Sequence, residues 1–415
     1  MCDCISHIET PLGHLEKTYR LADFFNQYWD IYKQSPTEYI SPEQYKAVAA
    51  MRACRTEALG VDYFACPDCG EISQVYHSCK NRFCPTCSWK DTMKWADKMK
   101  DGLMEIPHRH VVFTLPHQLN RLIIDNKWQL FDFLFKAASD SLKDWMLNKY
   151  GLKPGIISVL HTFGETKEFH CHIHMILSWG GVNNNHWIEQ IKGDYVNYEF
   201  IQKKFRCKFE DRLVELYESG ALDHGFKSKI DFLSFLRRIN EKNWRVHFEP
   251  SMAIPAEVIR YIGRYSKRAC LSEYKITNIE GEFISFRHKD YKNLDINGKP
   301  IEREMTLHYR DFFPRLLQHV PLPYFRIVRY YGVYAARTKA VLKRCYKDPV
   351  VKEQEDQEVQ EEVEETYRAK ENPKHCSHCK IDKLYQYTTF KNKDGQIIYM
   401  SRHNLTKDKE KKVAA

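Results

Sequence analysis

The sequence predicts an α+β protein, and three observations support that prediction. Helical patterns of apolar residues occur at 41–48 and 127–148. Two strand patterns, 156–163 and 169–178, flank a short polar loop and indicate a hairpin. Cysteines and turn residues are concentrated at 62–90, a composition typical of a metal-binding module. The sequence shows no internal repeat. Helices, a sheet and a cysteine module are therefore expected in one chain.

The composition is that of a globular protein. The 415 residues are enough for two or three domains, and 43% hydrophobic with 13% aromatic residues argue against disorder. No apolar run is long enough to span a bilayer and no signal peptide is visible, so we expect a cytoplasmic protein. Its fourteen cysteines are then expected to bind metal rather than to form disulfides.

The charge is distributed unevenly along the chain. The formal net charge is +9, but residues 352–371 alone carry −6, which leaves +15 on the remainder. Residues with this excess of positive charge are typical of a protein that binds a polyanion, and nucleic acid is the commonest polyanion. Simple solubility is the alternative explanation of the charge.

The individual elements follow from local signals. Ser41 is a suitable N-cap and Pro42 suits a first helical turn, so a helix is predicted to begin there. The strand 108–115 is expected to end at Pro116, which cannot donate to a ladder. The other predicted elements are a helix at 91–104, an amphipathic helix at 127–148, mostly helical sequence at 186–245, a helix at 255–267, strands and turns at 274–310, an aromatic and basic stretch at 311–345, an acidic linker and a disordered basic tail.

Two C-x-x-C pairs predict a zinc site. Zinc prefers four tetrahedral ligands, and two such pairs provide four thiolates with little strain on the chain. The predicted ligands are Cys66, Cys69, Cys84 and Cys87, with Cys79 or His77 as possible substitutes. We therefore expect about one tightly held structural zinc per chain. Buried free thiols are the alternative.

A third pair, Cys376 and Cys379, lies in the C-terminal tail. No further pair follows it in the sequence. It is therefore either half of a metal site or an unstructured remnant.

Three histidines alternate along the strand 169–178. His170, His172 and His174 share one face, because successive strand residues point to opposite sides, and the residues between them are apolar and can pack. A packed strand has little need of three imidazoles, whereas imidazoles at i and i+2 converge well on a divalent metal. The strand therefore predicts a metal site.

The hairpin adds a fourth histidine to this face. With the loop centred between positions 166 and 167, His161 falls opposite His172, with Cβ atoms about 5 Å apart. His161, His172 and His174 are then expected to converge as metal ligands, with His170 at the periphery. One or two of them making ordinary hydrogen bonds is the alternative, and the ligands alone do not decide between zinc and a harder divalent ion.

Two tyrosines lie four residues apart in the helix predicted at 255–267. Tyr261 and Tyr265 share one helical face. A tyrosine hydroxyl is a poor nucleophile at its usual pKa of about 10, but cations and a metal-polarised phosphate stabilise the charge that attack creates. Packing of both rings against a sheet is the alternative. Beside a histidine metal site, the pair is a candidate for the nucleophile.

Basic residues accompany both the cysteines and the tyrosines, which suits contact with DNA phosphates. Near the cysteines they are Lys80, Arg82, Lys90 and Lys94, and near the tyrosines they are Arg260, Arg264, Lys267 and Arg268.

Taken together, these motifs resemble the HUH endonucleases, which include rolling-circle replication initiators, relaxases and certain transposases. Within that group the chain is similar to the two-tyrosine transposases of the IS91 class. The segments that carry the resemblance are, in order, 54–60, 78–87, 110–116, 161–164, 172–174, 261–265 and 326–332. The match runs from about residue 40 to about residue 345.

The resemblance implies a domain plan. A helical and zinc-binding module is expected at 1–105, and an HUH catalytic domain with a central antiparallel sheet and flanking helices at 106–345. An acidic linker and a tail are expected at 346–415.

The resemblance also implies a chemistry. Tyr261 or Tyr265 would attack single-stranded DNA to form a 5′-phosphotyrosine and free a 3′-hydroxyl without ATP, and the second tyrosine would act in strand transfer. The outcome is rolling-circle transposition of an insertion sequence. By motif, His172 and His174 are metal ligands, and His161 is a third by similarity to three-histidine relaxases. Magnesium or manganese is the expected ion.

Two alternatives use much the same residues. A plasmid relaxase or replication initiator has the same chemistry, and the N-terminal zinc module favours the transposase over it. A catalytically inactive zinc-dependent DNA-binding protein is the other, and the intact histidines and tyrosines argue against it. The expected partners are single-stranded DNA at transposon ends and target DNA, with the protein at the nucleoid when bound.

Overall fold

The computed structural model describes residues 19–338 and 374–401, apart from 101–102, 105, 184–185, 189–190, 192–194, 241–243, 253–268 and 393–394. The helices are α1 (Leu21–Tyr32), α2 (Pro42–Arg52), α3 (Pro85–Lys100), α4 (Asn120–Asp125), α5 (Lys127–Tyr150), α6 (Tyr198–Glu218), α7 (Lys229–Asn240) and α8 (Tyr309–Leu317). The strands are β1 (Val61–Ala65), β2 (Ile72–Tyr76), β3 (His108–Thr114), β4 (Gly155–Phe163), β5 (Phe169–Ser178), β6 (Gly181–Asn183), β7 (His186–Ile188), β8 (Arg245–Met252), β9 (Ile276–Glu280), β10 (Phe283–Leu294), β11 (Pro300–His308), β12 (Val328–Gly332), β13 (Leu384–Lys391) and β14 (Ile397–Ser401). Helices with antiparallel sheets confirm the predicted α+β class. Among the described residues, no helix combines the length and apolar character needed to cross a membrane.

The central sheet has five antiparallel strands in the order β12–β4–β5–β3–β8. The histidine strand β5 is its middle strand. The hairpin predicted from 156–163 and 169–178 is β4–β5, with one more residue at its start. Because β5 is paired on both sides and buries one face, its register is strongly specified.

One face of the central sheet carries the main hydrophobic core. The residues that alternate with the histidines, Cys171, Ile173 and Met175, are at most 1% exposed and pack in one cluster with residues of α5 and α6. The alternation along β5 therefore separates the packing side chains from the histidines.

The opposite face of the sheet has an apolar part beside the histidines. Val159 and Ile176 pack there with Trp95 of α3 and with Tyr334. The indole N–H of Trp95 donates to the hydroxyl of Tyr330 on β12 at 3.0 Å. These contacts dock α3, whose first turn contains Cys87, on the histidine face of the sheet.

A second core joins the N-terminal helices to a later part of the chain. Helices α1 and α2 pack with residues from β9, β10 and α8. The rings of Phe25 and Phe313 stack with centroids 4.3 Å apart. The helix predicted from Ser41 is α2, and Ser41 and Gln44 exchange the two bonds of a capping box.

A four-stranded sheet brings the two ends of the sequence together, in the order β14–β13–β1–β2. Strand β1 pairs with β2 on one side and with β13 on the other. The tail hairpin β13–β14 thereby extends the hairpin of the cysteine module.

Some predicted elements differ from the structure, and others lie outside the described residues, among them the acidic linker and the basic end of the tail. Helix α3 begins at Pro85 rather than at 91, because the Cys84 carbonyl already accepts the Ser88 N–H at 2.9 Å. The segment 186–245 contains two helices but begins with the short strand β7. The helix predicted at 255–267 lies outside the described residues.

Candidate metal centre and cysteine clusters

Three histidines of the β4–β5 hairpin converge on one face of the central sheet. His161 lies opposite His172 in the ladder and Val159 lies opposite His174, so the three imidazoles leave the same face. One ring nitrogen of each lies within 4.8 Å of the others. The structure thus brings together the three side chains that the hairpin register predicts.

The hydrogen bonds of these rings leave two nitrogens facing each other. Nδ1 of His172 lies 2.8 Å from the carbonyl oxygen of His170, and towards a carbonyl a ring nitrogen acts as the donor. Nδ1 of His174 lies 2.8 Å from Nε2 of His110. The Nε2 atoms of His172 and His174 are 3.1 Å apart. A neutral His172 with its proton on Nδ1 therefore presents the Nε2 lone pair to the cluster.

The 3.1 Å separation of the two Nε2 atoms fits metal ligation. Nitrogens bound at about 2.0–2.1 Å with an angle of about 90° between them lie about 3 Å apart. His161 is buried, whereas His172 and His174 are half-buried. The rings of His172 and His174 are therefore partly accessible, whereas His161 is enclosed by the protein.

The ring charges also suit a metal site. Burial, and next the neighbouring His161, hold the pKa of His172 and the pKa of His174 well below the usual range of a histidine. Both rings are neutral at neutral pH, which is the form of imidazole that binds metals.

His170 touches the cluster through its backbone. Its carbonyl accepts the His172 Nδ1–H at 2.8 Å, and its ring centroid lies 5.0 Å from that of His172. Its ring is not part of the three-histidine group, and burial lowers its pKa. The peripheral position predicted for His170 is therefore confirmed.

A second layer of side chains supports His174, and the sequence analysis missed it. His110 of β3 stacks on His174 with ring centroids 5.0 Å apart, and its Nδ1 lies 3.3 Å from Oε1 of Glu249 on β8. A carboxylate–histidine pair behind a ligand fixes the orientation and tautomer of that ligand. The available signal was the period of β3, which places His110 on the face of Thr114 and hence of its partner His172.

The loop of the β4–β5 hairpin is held by His319. His319, two residues after α8, lies with Nδ1 3.0 Å from the hydroxyl of Thr162 and with Nε2 3.0 Å from the carbonyl oxygen of Lys167. Because a carbonyl only accepts, Nε2 donates to Lys167 and Nδ1 accepts from Thr162. Lys167 has a φ of 65°, a left-handed conformation that this bond helps to hold. Since Thr162 directly follows His161, His319 supports the geometry of the histidine hairpin β4–β5.

Eight cysteines form two clusters of four thiols. The first comprises Cys54, Cys79, Cys84 and Cys87, and the second comprises Cys66, Cys69, Cys376 and Cys379. Within each cluster the sulfurs lie within 4.8 Å of one another. In the first, Sγ of Cys87 is 3.5 Å from Sγ of Cys54 and 3.5 Å from Sγ of Cys79. Tetrahedral zinc with Zn–S bonds of about 2.3 Å places sulfurs about 3.8 Å apart. This spacing fits zinc and is far longer than a disulfide bond of about 2.05 Å.

The expected single site of Cys66, Cys69, Cys84 and Cys87 is thereby corrected. The first pair lies in the turn between β1 and β2, whereas the second pair opens α3 and meets Cys54 just after α2. The two pairs are therefore placed in different clusters, each completed by other cysteines.

Of the two residues proposed as substitute zinc ligands, Cys79 lies in a cysteine cluster and His77 does not. Cys79 belongs to the first cluster. The ring of His77 instead lies with Nδ1 3.0 Å from the carbonyl oxygen of Leu59 and with Nε2 2.8 Å from Oδ1 of Asp62. His77 is a structural histidine of the β1–β2 hairpin.

The predicted nucleophiles Tyr261 and Tyr265 lie outside the described residues, as do Arg260, Arg264, Lys267 and Arg268. Arg82 is exposed, and its Nη1 donates to the carbonyl of Phe325 at 3.4 Å. The other basic residues near the cysteines are also exposed: Lys80, Lys90 and Lys94.

Two family models match the chain, one over the segment that contains the first cysteine cluster and one over the segment that contains the histidine hairpin. A model described as a transposase zinc-binding domain matches residues 24–115, which contain the whole first cysteine cluster. A model described as a putative transposase matches residues 155–341, which contain the histidine hairpin. The zinc-binding match and the four-thiol cluster point to a structural zinc.

The relatives agree with these family matches. The chain is 30% identical over 334 residues to the putative transposase y4qJ of Sinorhizobium fredii. The aligned region covers 76% of this chain and 80% of the relative. The chain is 28% identical over 304 residues to the transposase for insertion sequence element IS801 of Pseudomonas savastanoi pv. phaseolicola, and that aligned region covers 70% of each. No solved structure matches. The chain therefore belongs to the transposases of the IS91 and IS801 class.

Proposed function

We propose that this transposase cuts and rejoins single-stranded DNA through a tyrosine–phosphate intermediate, in rolling-circle transposition of an insertion sequence. The observation that carries the proposal is the convergence of His161, His172 and His174 on one face of the central sheet. Three imidazoles can hold a divalent ion and leave coordination positions for a phosphate oxygen.

A divalent ion held there, magnesium or manganese, would supply Lewis-acid polarisation of a phosphoryl oxygen. The residues of this chain hold and orient the ring nitrogens. The His170 carbonyl occupies Nδ1 of His172 and His110 occupies Nδ1 of His174, so both Nε2 atoms are directed to one point. Because the pKa of each ring is lowered, no proton has to leave before ligation at neutral pH.

Tyr261 and Tyr265 are proposed as the nucleophiles. The phenol oxygen of one attacks the phosphorus, its proton leaves, and the bond between phosphorus and the 3′-oxygen breaks. The 3′-oxygen takes up a proton, and the 5′-phosphate remains on the tyrosine. The reverse reaction, with a 3′-hydroxyl as attacking group, rejoins a strand without an external energy source. The second tyrosine provides a second acceptor for strand transfer.

Basic side chains are proposed to guide the DNA. The candidates near the tyrosines are Arg260, Arg264, Lys267 and Arg268. Arg82 adds an exposed guanidinium on the cysteine module. Arginine suits phosphate recognition because its fork presents parallel donors. A net charge of +9, with acidic residues concentrated in one segment, is consistent with this role.

A covalent-adduct assay tests the proposal. The full chain is incubated with manganese and labelled single-stranded oligonucleotides that carry the ends of its element, and the products are separated under denaturing conditions. We expect a protein–DNA adduct only when the label lies on the fragment 3′ of the break, because that fragment carries the 5′-phosphate that stays on the tyrosine. The double variant Y261F/Y265F should form none, because neither phenyl ring can attack.

Matched controls separate chemistry from folding. Tyr274→Phe removes the hydroxyl of an exposed tyrosine nine positions after Tyr265 in the sequence and should leave the adduct unchanged. H172A/H174A should lose the adduct while retaining the cysteine-bound zinc. An undiminished adduct in Y261F/Y265F would refute the assignment of the nucleophiles.

A further inference from the structure

The second cysteine cluster joins the N-terminal module to the C-terminal tail. Cys66 and Cys69 lie within the residues 24–115 of the zinc-binding family match, but Cys376 and Cys379 lie far outside them. We propose that these four cysteines bind a second zinc ion, which anchors the tail to the N-terminal module. The first cluster is complete within the family match and accounts for the other zinc.

The two half-sites have the same backbone conformation. In the first, the Cys66 N–H donates to the Glu71 carbonyl at 2.9 Å and the Gly70 N–H donates to the Cys66 carbonyl at 3.0 Å. In the second, the Cys376 N–H donates to the Ile381 carbonyl at 2.8 Å and the Lys380 N–H donates to the Cys376 carbonyl at 3.0 Å. The same two bonds, with the same spacing, therefore close both turns.

The fifth residue of each turn is also equivalent. Gly70 has a φ of 74° and Lys380 has a φ of 57°, so both are left-handed. A lysine adopts this conformation only at a cost, because its Cβ crowds the carbonyl oxygen. Two separate parts of the chain thus form one type of tight turn, which aims paired thiols at a shared point. The repeated turn therefore argues against an unstructured remnant at Cys376 and Cys379.

The thiols have the spacing that zinc requires. Sγ of Cys69 lies 3.6 Å from Sγ of Cys376, and all four sulfurs lie within 4.8 Å of one another. Cys66 and Cys376 are at most 2% exposed. The Cys379 N–H lies 3.4 Å from Sγ of Cys376, an arrangement that stabilises a thiolate.

The surroundings fit a metal–thiolate group. The Cys376 thiol donates to Glu71 at 3.0 Å, and this proton leaves when the thiolate binds zinc. Lys383 Nζ lies 3.2 Å from Oε1 of Glu71, and its side chain is only 3% exposed. A buried ammonium beside the carboxylate offsets the negative charge that four thiolates and Glu71 bring together.

The strands next to the two cysteine turns also hold the tail against the N-terminal module. Strand β1 ends directly before Cys66, β2 begins shortly after Cys69, and β13 begins shortly after Cys379. The β1–β13 pairing then aligns the two halves over several residues. Cys69 and Cys376 are 307 positions apart, so a zinc here would close a very long loop and restrict the unfolded chain strongly.

Zinc counting on the full chain tests the site, with paired variants that separate a shared site from separate ones. Wild type should hold about two zinc ions per chain. C376S/C379S and C66S/C69S should each hold one, and the quadruple variant should also hold one, because both pairs serve the same ion. The control Cys207→Ser changes a half-buried thiol outside both clusters and should retain two.

Hydrogen exchange gives a second readout of the anchor. Amides of β13 should lose protection in C376S/C379S and in C66S/C69S but not in C207S. One zinc in the wild type would overturn the proposal. Two zincs retained in either pair variant, or a quadruple variant with fewer than one, would also overturn it.

Discussion

His161 and His172 are direct cross-strand partners in the β4–β5 ladder, with ring centroids 5.4 Å apart. This pairing converts a local pattern of alternating histidines into a three-ligand site, because it adds an imidazole from the neighbouring strand to His172 and His174. A register shift of one residue would move His161 to the apolar face. The proposed metal site therefore depends on the hairpin register as much as on the histidines.

The first prediction concerns His161 as the third ligand. His161→Ala should weaken manganese binding by more than about ten-fold. Removal of a residue that only supports a ligand already weakens metal binding by at least about ten-fold, and removal of a ligand should cost more. Isothermal titration of the full chain with zinc already bound measures this. His170→Ala is the matched control, because its ring lies outside the cluster while its carbonyl remains in place. Equal affinities for the two variants would contradict a ligand role for His161.

The second prediction concerns the support of His174 by His110. His110→Ala should weaken manganese binding by about 10–100-fold, because the ring of His174 loses the partner that fixes its tautomer. Glu249→Gln keeps an acceptor near His110 but removes its charge, so it should weaken binding less. His117→Ala alters an exposed histidine just after β3 and serves as control. Unchanged affinity in His110→Ala would show that His174 is oriented without it.

Much of this architecture follows from local patterns in the sequence. The alternation of β5, the loop between β4 and β5 and the N-cap at Ser41 each depend on neighbours in the chain, and each was predicted correctly. The register of His161 against His172 also followed, because a short hairpin loop leaves little freedom for its strands.

The parts that could not be predicted depend on contacts between distant residues. Spacing alone cannot tell whether Cys66 and Cys69 are completed by Cys84 and Cys87 or by a pair 307 positions away. The C-x-x-C pattern defines a half-site, and the partner is chosen by the sheet that β13 completes. Glu249 was missed for a similar reason, since the position of β8 beside β3 is set by tertiary packing.

The third prediction concerns Gly332, at the end of the motif 326–332 on the edge strand β12. It has a φ of 58°, and a Cβ there would lie 1.8 Å from the carbonyl oxygen of Pro154. Gly332→Ala should therefore cost more than the about 1–2 kcal/mol of a left-handed alanine. Gly298→Ala is the control, since Gly298 has a φ of 73° and open space around it. Thermal unfolding of both variants measures the difference, and equal losses would argue against the backbone contact.

The fourth prediction concerns pH and His319. Burial depresses the pKa of His319 to about 3, against about 6.5 in an unfolded chain. Above about pH 6.5 the ring is neutral in the folded and in the unfolded state, so His319 adds no pH dependence to the free energy of unfolding. Below that pH the unfolded state binds a proton that the folded state does not, and the free energy of unfolding falls by about 1.4 kcal/mol per pH unit until about pH 3. Stability is thus lost as the pH falls, the opposite of a histidine that gains an acidic partner.

A substitution isolates this contribution from the other buried histidines. In His319→Gln the amide can still donate to Lys167 and accept from Thr162 but does not titrate. Urea unfolding between about pH 5.5 and about pH 4.5 should show a slope of stability against pH that is shallower than that of the wild type by about 1.4 kcal/mol per unit. His117→Gln, an exposed site, should keep the wild-type slope. If the His319→Gln slope equalled the wild-type slope, His319 would not be held neutral, and its part in fixing the β4–β5 hairpin would need another explanation.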